Sequence, residues 1–326
     1  MRRDEAVEHE VALFMAVTIL GALVPVFGLI LIGYVCGRYD ILGDRAFEVL
    51  NRFVIAITLP ILTFRSIAHM DPRNLAVPGM FIAVTLGALI TYALAFAIAR
   101  RFGRSGANAN IAALCACFSN TGFIGLPVAT LAWGPEAVAP VSVTMLIYSA
   151  IVFTVGLVMS EVTASHGHGV GTGLKLAARS TVRNPLIFMA VLGCVWSVLR
   201  LPLTGPADIL MQTLALATAP CALTAIGIFI ALPRQSATPG PIGRVVALKL
   251  LAQPLITAGL LWMLPPIPPL WAKVAILMAA MPCGASSFVL AGKAGRWAME
   301  LSAWAVMLTT TMASITLIGM LWWLGA

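Results

Sequence analysis

The sequence predicts an all-α membrane protein in which ten transmembrane helices form two inverted five-helix repeats. Three observations lead to this expectation: the composition, the spacing of the apolar runs and the recurrence of prolines at one offset. Of the 326 residues 60% are hydrophobic and only 10% are charged, and the mean hydropathy is +0.99. Because soluble domains carry about 25% charged residues, this composition excludes a water-soluble globule.

Ten apolar runs, each bounded by charged residues, proline or glycine, divide the chain. A bilayer core about 30 Å thick requires roughly 20 apolar residues in a helix that crosses it. The runs cover residues 11–36, 46–68, 75–99, 107–133, 136–160, 184–200, 207–232, 242–264, 271–292 and 298–324. The first run is too long for a signal-peptide core and has no small-residue cleavage pattern, so we expect all ten to be spans.

The basic residues predict how the chain is oriented. Twelve Lys and Arg residues lie in or beside the odd-numbered connections between spans, whereas five lie in or beside the N-terminal tail and the even-numbered connections. The positive-inside rule therefore places the odd connections in the cytoplasm and both termini outside. The pI near 9.6 is then explained by orientation in the cell (inner) membrane, and nucleic acid is not an expected partner.

A linker at the midpoint divides the spans into two halves. Residues 161–183 are rich in glycine and basic residues and show no apolar periodicity, which is typical of a flexible linker. It separates a first repeat, residues 11–160, from a second repeat, residues 184–324. Because each repeat has an odd number of spans, the second must enter the membrane from the opposite face, and such inverted repeats are characteristic of secondary transporters.

Prolines support this internal duplication. Pro25 in the first span and Pro185 in the sixth are 160 residues apart, and so are Pro60 in the second span and Pro220 in the seventh. A constant offset between equivalent spans is the pattern that an internal repeat leaves in a sequence.

The fourth and ninth spans each contain a mid-depth cluster of glycine, proline and hydroxyl residues, at 117–127 and 280–287. Such a cluster weakens a helix where lipid offers no replacement hydrogen bond, so the freed backbone must face protein or water. One cluster alone is more often a simple kink, but two at matching places predict broken helices that meet at a binding site. The N-terminal ends of their half-helices are expected to attract an anion.

Charged groups at mid-depth are scarce. The acidic residues that belong to or border the spans, Glu48, Glu136, Glu161, Asp208 and Glu300, all lie at or near span ends, and no span contains a histidine. A cationic substrate would therefore lack a counter-charge, and no side-chain proton relay is visible.

Catalysis and metal binding are disfavoured by the same inventory. The sequence has no HExxH motif, no mid-depth aspartate pair and no histidine that could activate a serine. The six cysteines lie in apolar runs and are interpreted as buried small residues, and no cofactor is expected. A channel stays open as an alternative, because mid-membrane breaks also build selectivity filters.

Short motifs along the whole chain resemble one known family. They are Val24-Pro25-Val26-Phe27, Gly33-Tyr34, Leu59-Pro60-Ile61-Leu62, Asn120-Thr121, Gly125-Leu126-Pro127 and Ala279-Ala280-Met281-Pro282-Cys283-Gly284. These motifs resemble the auxin efflux carrier family, which includes bacterial malonate and malate permeases and plant auxin transporters. The resemblance implies a fold like that of bile acid symporters and sodium–proton antiporters, with crossing fourth and ninth spans, a scaffold, a moving transport bundle and a homodimer.

The family's substrate site is expected at the two breaks. By resemblance, Asn120 donates hydrogen bonds to a substrate carboxylate, with Thr121 and the backbone of Gly122 beside it. Pro282 and Gly284 shape the opposing break. The further candidates for this site are Ser119, Cys283, Thr144 and Tyr148, and the crossover or hinge candidates are Gly125, Pro127, Pro60 and Pro220.

Coupling is left open between two alternatives. A sodium ion could bind unwound carbonyl groups together with hydroxyl groups of Ser119, Thr121, Ser286 or Ser287, or the membrane potential alone could drive transport. The expected function is secondary transport of a small organic anion, a carboxylate such as malonate, malate or an auxin-like acid, by alternating access. An anion channel or uniporter and a sodium-coupled symporter are the alternatives.

Three polar residues of the spans have two interpretations each. Lys249 is interpreted first as a side chain that snorkels to the lipid headgroups, and second as a cation that attracts anions at the inner mouth. Gln253 is either a pocket amide or a contact between helices. Arg65 is either an anchor at the membrane interface or part of an outer gate.

Overall fold

The computed structural model describes residues 24–25, 27–43, 45–69, 77–164, 185–231 and 239–325. Every regular element within these ranges is helical. The predicted linker lies outside the described residues from residue 165 onward, and so do residues 11–23 of the first predicted span.

Within the described residues, the first half of the chain contains eight α-helices and three π-helical turns. The α-helices are α1 (Phe27–Arg38), α2 (Ala46–Phe53), α3 (Leu59–Ala68), α4 (Pro78–Arg101), α5 (Gly106–Cys117), α6 (Leu126–Trp133), α7 (Val138–Leu146) and α8 (Phe153–Ala164). The π turns are Val54–Thr58, Thr121–Gly125 and Ile147–Val152, and a 3-10 turn covers Pro135–Ala137. The turns Val54–Thr58 and Ile147–Val152 join two α-helices end to end, and Thr121–Gly125 leads into α6. Such π turns mark places where a helix is locally loosened, often beside functional sites.

The second half contains seven α-helices and one π turn within the described residues. The α-helices are α9 (Pro185–Val198), α10 (Pro206–Ala231), α11 (Pro239–Ala247), α12 (Gln253–Met263), α13 (Pro269–Ala280), α14 (Ser286–Ala294) and α15 (Arg296–Leu324). The π turn Leu248–Ala252 joins α11 to α12.

Residues at the helix ends explain where several helices begin and end. Pro78 and Pro269 stand in the first turn of α4 and α13, where a missing N–H group costs no hydrogen bond. The Ser105 hydroxyl accepts a bond from the backbone N–H of Asn108 and so caps α5. Gly134 after α6 and Gly295 after α14 have φ angles of +75° and +98°, which glycine adopts without strain.

Five continuous helical segments are long and apolar enough to cross a membrane. They are Ala46–Arg65, Pro78–Arg101, Pro135–Thr163, Pro206–Ala231 and Pro239–Met263. The two parts of α15, Arg296–Ala313 and Ile315–Leu324, meet at a 50° bend and make a sixth if they count as one span. The described part of the chain is thus an all-helical membrane protein with five or six candidate spans, against the ten that the sequence predicts.

The difference has a physical cause at the two predicted breaks. The half-helices α5 and α13 have 12 residues each, which makes each about 18 Å long. Neither is long enough to cross a hydrocarbon layer alone. Each is followed by a second short helix, α6 after α5 and α14 after α13.

Glycines let two pairs of helices approach closely. A Cβ atom at Gly33 of α1 would lie 2.2 Å from the carbonyl oxygen of Thr224 in α10. A Cβ atom at Gly193 of α9 would lie 2.9 Å from the carbonyl oxygen of Phe64 in α3. Any larger residue would push the backbones apart, so small residues set the helix spacing here, as is common in membrane bundles.

Candidate functional site

The two broken helices meet backbone to backbone. The chain leaves helical geometry at Phe118 after α5 and at Met281 after α13. The N–H of Asn120 donates to the carbonyl oxygen of Pro282 at 2.8 Å, and the N–H of Gly284 donates to the carbonyl oxygen of Phe118 at 2.9 Å. This short antiparallel pair of residues 118–120 and 282–284, called the crossing from here on, satisfies backbone groups that neither broken helix can satisfy internally.

Glycine is required where the breaks touch. A Cβ atom at Gly284 would lie 2.7 Å from Cδ1 of Phe118, and one at Gly125 would lie 2.7 Å from the sulfur of Met278. Both distances are shorter than a van der Waals contact, so alanine at either position would force its neighbour to move. The crossing is therefore packed tightly from both halves of the chain.

A cavity of about 240 Å³ lies beside the crossing. Its lining consists of Leu59, Leu62, Thr63, Phe118, Ser119, Asn120, Thr121, Gly122, Met145, Tyr148, Ser149, Phe153, Leu216, Gly284, Ala285 and Ser286. Hydroxyl and amide groups alternate with apolar surface, and no charged side chain stands among these described lining residues. A largely apolar pocket with a few convergent polar groups is the usual form of a small-molecule site.

Most of the residues predicted for the site do line this cavity. Seven are on its wall: Ser119, Asn120, Thr121, Gly122, Tyr148, Gly284 and Ser286. Asn120 is 6% exposed, so a guest that contacts its side chain in the cavity would be largely shielded from bulk solvent. The two breaks and the fifth predicted span thus contribute side chains to one volume.

Four predicted residues lie behind the wall. Thr144 is fully buried, and its hydroxyl donates to the carbonyl oxygen of Val141 in its own helix. The Ser287 hydroxyl donates to the carbonyl oxygen of Gly284, and the Cys283 N–H donates to the hydroxyl of Thr309. Pro282 takes part in the crossing only through its carbonyl oxygen.

Three of the predicted hinge residues are close in sequence to lining residues or to the crossing. Pro60 follows the π turn Val54–Thr58, and its neighbours Leu59 and Leu62 line the cavity. Pro220 lies inside α10, one turn after Leu216, which also lines the cavity. Pro127 is in the first turn of α6, after the crossing.

The first interpretation of Lys249 is wrong. Its side chain is fully buried and does not reach the lipid headgroups. Nζ donates to the Ser119 hydroxyl at 2.8 Å, to the carbonyl oxygen of Ala279 at 2.8 Å and to Oε1 of Gln253 at 2.5 Å. Three acceptors at the crossing hold the ammonium more firmly than the distant interface could.

Gln253 is a contact between helices and is not on the cavity wall. It is fully buried, and its Nε2 donates to the carbonyl oxygen of Cys117 at 2.7 Å and to the Tyr148 hydroxyl at 2.9 Å. Lys249 and Gln253 therefore each bond a carbonyl group at the C-terminal end of one broken helix, Ala279 of α13 and Cys117 of α5. These carbonyls have no partner within their own helices.

The sequence alone did not reveal the role of Lys249 or Gln253. It shows how far each residue lies along its own span, but not which residues of other spans it contacts. Lys249 and Gln253 are four residues apart and so share a helix face. A lysine and an amide one turn apart inside an apolar run, without an acidic partner on the same face, were the available signal.

Arg65 pairs with an acidic residue. Its Nε donates to Oδ1 of Asp208 at 2.7 Å, and Nε2 of His69 lies 3.1 Å from the same oxygen. The Arg65 and Asp208 side chains are 25% and 18% exposed. This cluster joins the end of α3 to the beginning of α10.

Comparisons with known proteins bear on the whole chain. The sequence profile of the family described as "Membrane transport protein" matches residues 18–169 and 172–321. A "Putative malonate transporter" from Rhizobium meliloti (strain 1021) is 29% identical over 93% of this chain and 95% of its own length. An "Uncharacterized transporter" from Methanothermobacter thermautotrophicus is 28% identical over 84% of this chain and 87% of its own length.

A plant protein is also similar. The "Auxin efflux carrier component 5" of Arabidopsis thaliana is 24% identical over 87% of this chain and 90% of its own length. The profile covers both halves of the chain, including both breaks. The chain belongs to the membrane transport protein family, which is the auxin efflux carrier family that its motifs resemble.

Proposed function

We propose that this protein is a secondary transporter that moves a small organic anion, a carboxylate such as malonate, malate or an auxin-like acid, by alternating access. The observation that carries the proposal is the cavity at the crossing, whose described lining residues offer hydroxyl and amide groups and include no carboxylate. A relative described as a putative malonate transporter, similar over nearly its whole length, supports the substrate class.

We further propose that the fold consists of ten spans in two inverted repeats, and internal offsets support this. The pair Gly33 with Thr224 becomes the pair Gly193 with Phe64 when 160 is added to Gly33 and subtracted from Thr224. A contact between α1 and α10 is thereby paired with an equivalent contact between α9 and α3. Such exchange of partners is expected of two duplicated halves that pack against each other.

The crossing has the same property. Adding 164 to Asn120 gives Gly284, and adding 164 to Phe118 gives Pro282. The bond from Asn120 to Pro282 is therefore the counterpart of the bond from Gly284 to Phe118. The two hydrogen bonds exchange under an offset of 164 residues, which is close to the offset of 160 between the paired prolines.

Within the cavity, Asn120 is proposed to bind the carboxylate. Its amide can donate two hydrogen bonds, and Thr121 and Gly122 stand beside it on the wall. Ser286 and the beginning of α14 face the cavity from the other break. A helix N-terminus offers N–H groups and a partial positive charge to an anion.

Alternating access would use the loosened helices around the site. Two π turns, Val54–Thr58 and Ile147–Val152, contain or adjoin cavity-lining residues, and Pro60 and Pro220 lie within the second and seventh predicted spans. Rocking of one bundle against the other around a fixed mid-membrane site is how repeats of this type expose the site to each side in turn.

Counterflow in proteoliposomes tests the proposed function. Purified protein is reconstituted into vesicles preloaded with unlabelled malonate or another carboxylate, and uptake of the labelled acid is followed. A carrier gives saturable uptake that the internal acid accelerates. Unitary currents in planar bilayers without counterflow would instead identify a channel, and absence of both for every mono- and dicarboxylate would contradict the proposal.

A further inference from the structure

Among the described residues that line the cavity none is charged, yet a cation lies one hydrogen bond behind them. Ser119 is on the wall, and its hydroxyl accepts a bond from Lys249 at 2.8 Å. Lys249 itself is fully buried and does not line the cavity. A positive charge therefore lies one hydrogen bond from a described lining residue, behind the Ser119 hydroxyl group.

The surroundings of Lys249 match a charged ammonium. A lysine ammonium has three N–H donors and no acceptor, and Nζ has three oxygen acceptors at 2.5–2.8 Å. The acceptors are a hydroxyl, an amide and a backbone carbonyl, so all three are neutral. Among the described residues the ion pairs involve other basic side chains, and no carboxylate pairs with Lys249.

An unpaired buried ammonium is costly, and helix capping alone does not account for it. Ionisable groups at depth in a membrane are rare and usually serve substrate or ion pathways. Gln253 caps the equivalent end of α5 with a neutral amide, which demonstrates that this role requires no charge. The charge of Lys249 therefore has another use at this site.

The hydrogen bonds around Lys249 also fix the direction of two hydroxyl groups. Ser119 accepts from Lys249, and Tyr148 accepts from Nε2 of Gln253. Each hydroxyl has one proton, and with an acceptor position already used, that proton is directed elsewhere. Both residues line the cavity, and their hydroxyl groups also bond each other, so Lys249 and Gln253 leave one wall hydroxyl proton for a guest that accepts hydrogen bonds.

We propose that Lys249 is a resident cation of the substrate site, which selects carboxylates through the Ser119 hydroxyl and takes the place of a coupling sodium ion. This inference rests on the proposed function and adds a positioning residue and a coupling mode to it. Ser119 is one of the sequence-predicted sodium ligands, but its oxygen is already bonded to the ammonium. A second cation at the same oxygen would face direct repulsion from Lys249.

The test measures carboxylate binding in the presence and absence of sodium. Wild-type protein in nanodiscs is titrated with malonate by calorimetry at pH 7, once in sodium chloride and once in choline chloride. We expect equal affinity in both salts. We expect Lys249→Met, which keeps the length of the side chain but removes the charge, to weaken malonate binding by about tenfold or more in both salts.

Two comparisons separate a charge effect from a loss of structure. Lys273→Met removes a lysine from the far end of α13, where Nζ lies 3.4 Å from the carbonyl oxygen of Gly325, and should keep wild-type affinity. Malonamate, which carries one carboxylate, should lose less affinity than malonate on Lys249→Met, because a removed charge acts more strongly on a dianion. A purely structural role would weaken both ligands alike.

Several outcomes would overturn the inference. Tight malonate binding by the wild type only in sodium would do so, and so would wild-type affinity in folded Lys249→Met. If that variant does not fold, Ser119→Ala provides the second measurement, and unchanged malonate affinity in Ser119→Ala contradicts the relay. If Asn120→Ala loses affinity while Lys249→Met keeps it, the inference alone fails; if the wild type binds no carboxylate, the proposed function fails with it.

Discussion

Lys249 donates a hydrogen bond to Ser119, with 2.8 Å between Nζ and Oγ. The bond joins the π turn Leu248–Ala252 of the second half to the break after α5 in the first half. Ser119 lines the cavity and Lys249 lies behind it, and both residues are buried. A substitution at either residue therefore changes the cavity wall without changing a residue that packs against lipid. The same cluster reaches Tyr148 through Gln253.

We predict that Asn120→Ala weakens carboxylate binding by about tenfold while the protein stays folded. The substitution removes an amide that can donate to a charged acceptor, and such bonds contribute about 1.5–3 kcal/mol. Calorimetry with malonate measures the affinity, and gel filtration checks the fold. Asn108→Ala is the matched control, because Asn108 lies in the first turn of α5, whereas Asn120 lies in the break that follows the other end of this helix. Wild-type affinity in Asn120→Ala would remove Asn120 from the site.

We predict that Gly284→Ala destabilises the protein by about 1–3 kcal/mol, since overpacking has that typical cost. The added methyl group would lie 2.7 Å from Cδ1 of Phe118 at the crossing. Thermal unfolding in nanodiscs measures the effect. Gly259→Ala provides the control, because a Cβ atom there meets nothing within 4 Å. Equal unfolding temperatures for the two variants would contradict the tight crossing.

We predict that Gln253→Leu lowers stability by about 2 kcal/mol or more. The change leaves the Cys117 carbonyl and one proton of Lys249 without their partners, and an unsatisfied buried polar group costs about 1–3 kcal/mol. Gln212→Leu in α10, at an exposed position, should change stability by less than about 0.5 kcal/mol. A Gln253→Leu variant as stable as the wild type would show that these bonds are dispensable.

We predict a small coupling between Arg65 and Asp208. Both side chains are partly exposed, and ion pairs of that kind contribute little to stability because solvent screens the charges. A double-mutant cycle with Arg65→Gln and Asp208→Asn, read out by thermal unfolding, measures the coupling energy. Raising the salt concentration should reduce it. A coupling energy of zero at low salt would show that the pair does not hold α3 to α10.

The sequence was sufficient to predict the elements whose signals are local. Composition and apolar runs predicted an all-helical membrane protein, and the glycine and proline clusters predicted where α5 and α13 end. The motifs predicted the family. Most of the candidate site residues, among them Asn120 and Tyr148, lie on one cavity because the two breaks come together.

What the sequence could not predict depends on contacts between distant segments. Lys249 is 130 residues from Ser119 and 30 from Ala279, so its acceptors are invisible in its own span. Thr144 lies one helical turn before Tyr148, but its hydroxyl donates to the carbonyl oxygen of Val141 in the same helix. Thr144 does not line the cavity. Periodicity gives the face of a helix, and only packing decides what that face meets.

The most direct test of the substrate site is a cryo-electron microscopy structure of the protein with the carboxylate that binds most tightly in calorimetry. We predict density for the acid in the cavity beside the crossing, with a carboxylate oxygen within hydrogen-bonding distance of Asn120 and of the Ser119 or Tyr148 hydroxyl. Density for the acid at any other place, with this cavity empty, would contradict the proposal that the two breaks form the site of transport.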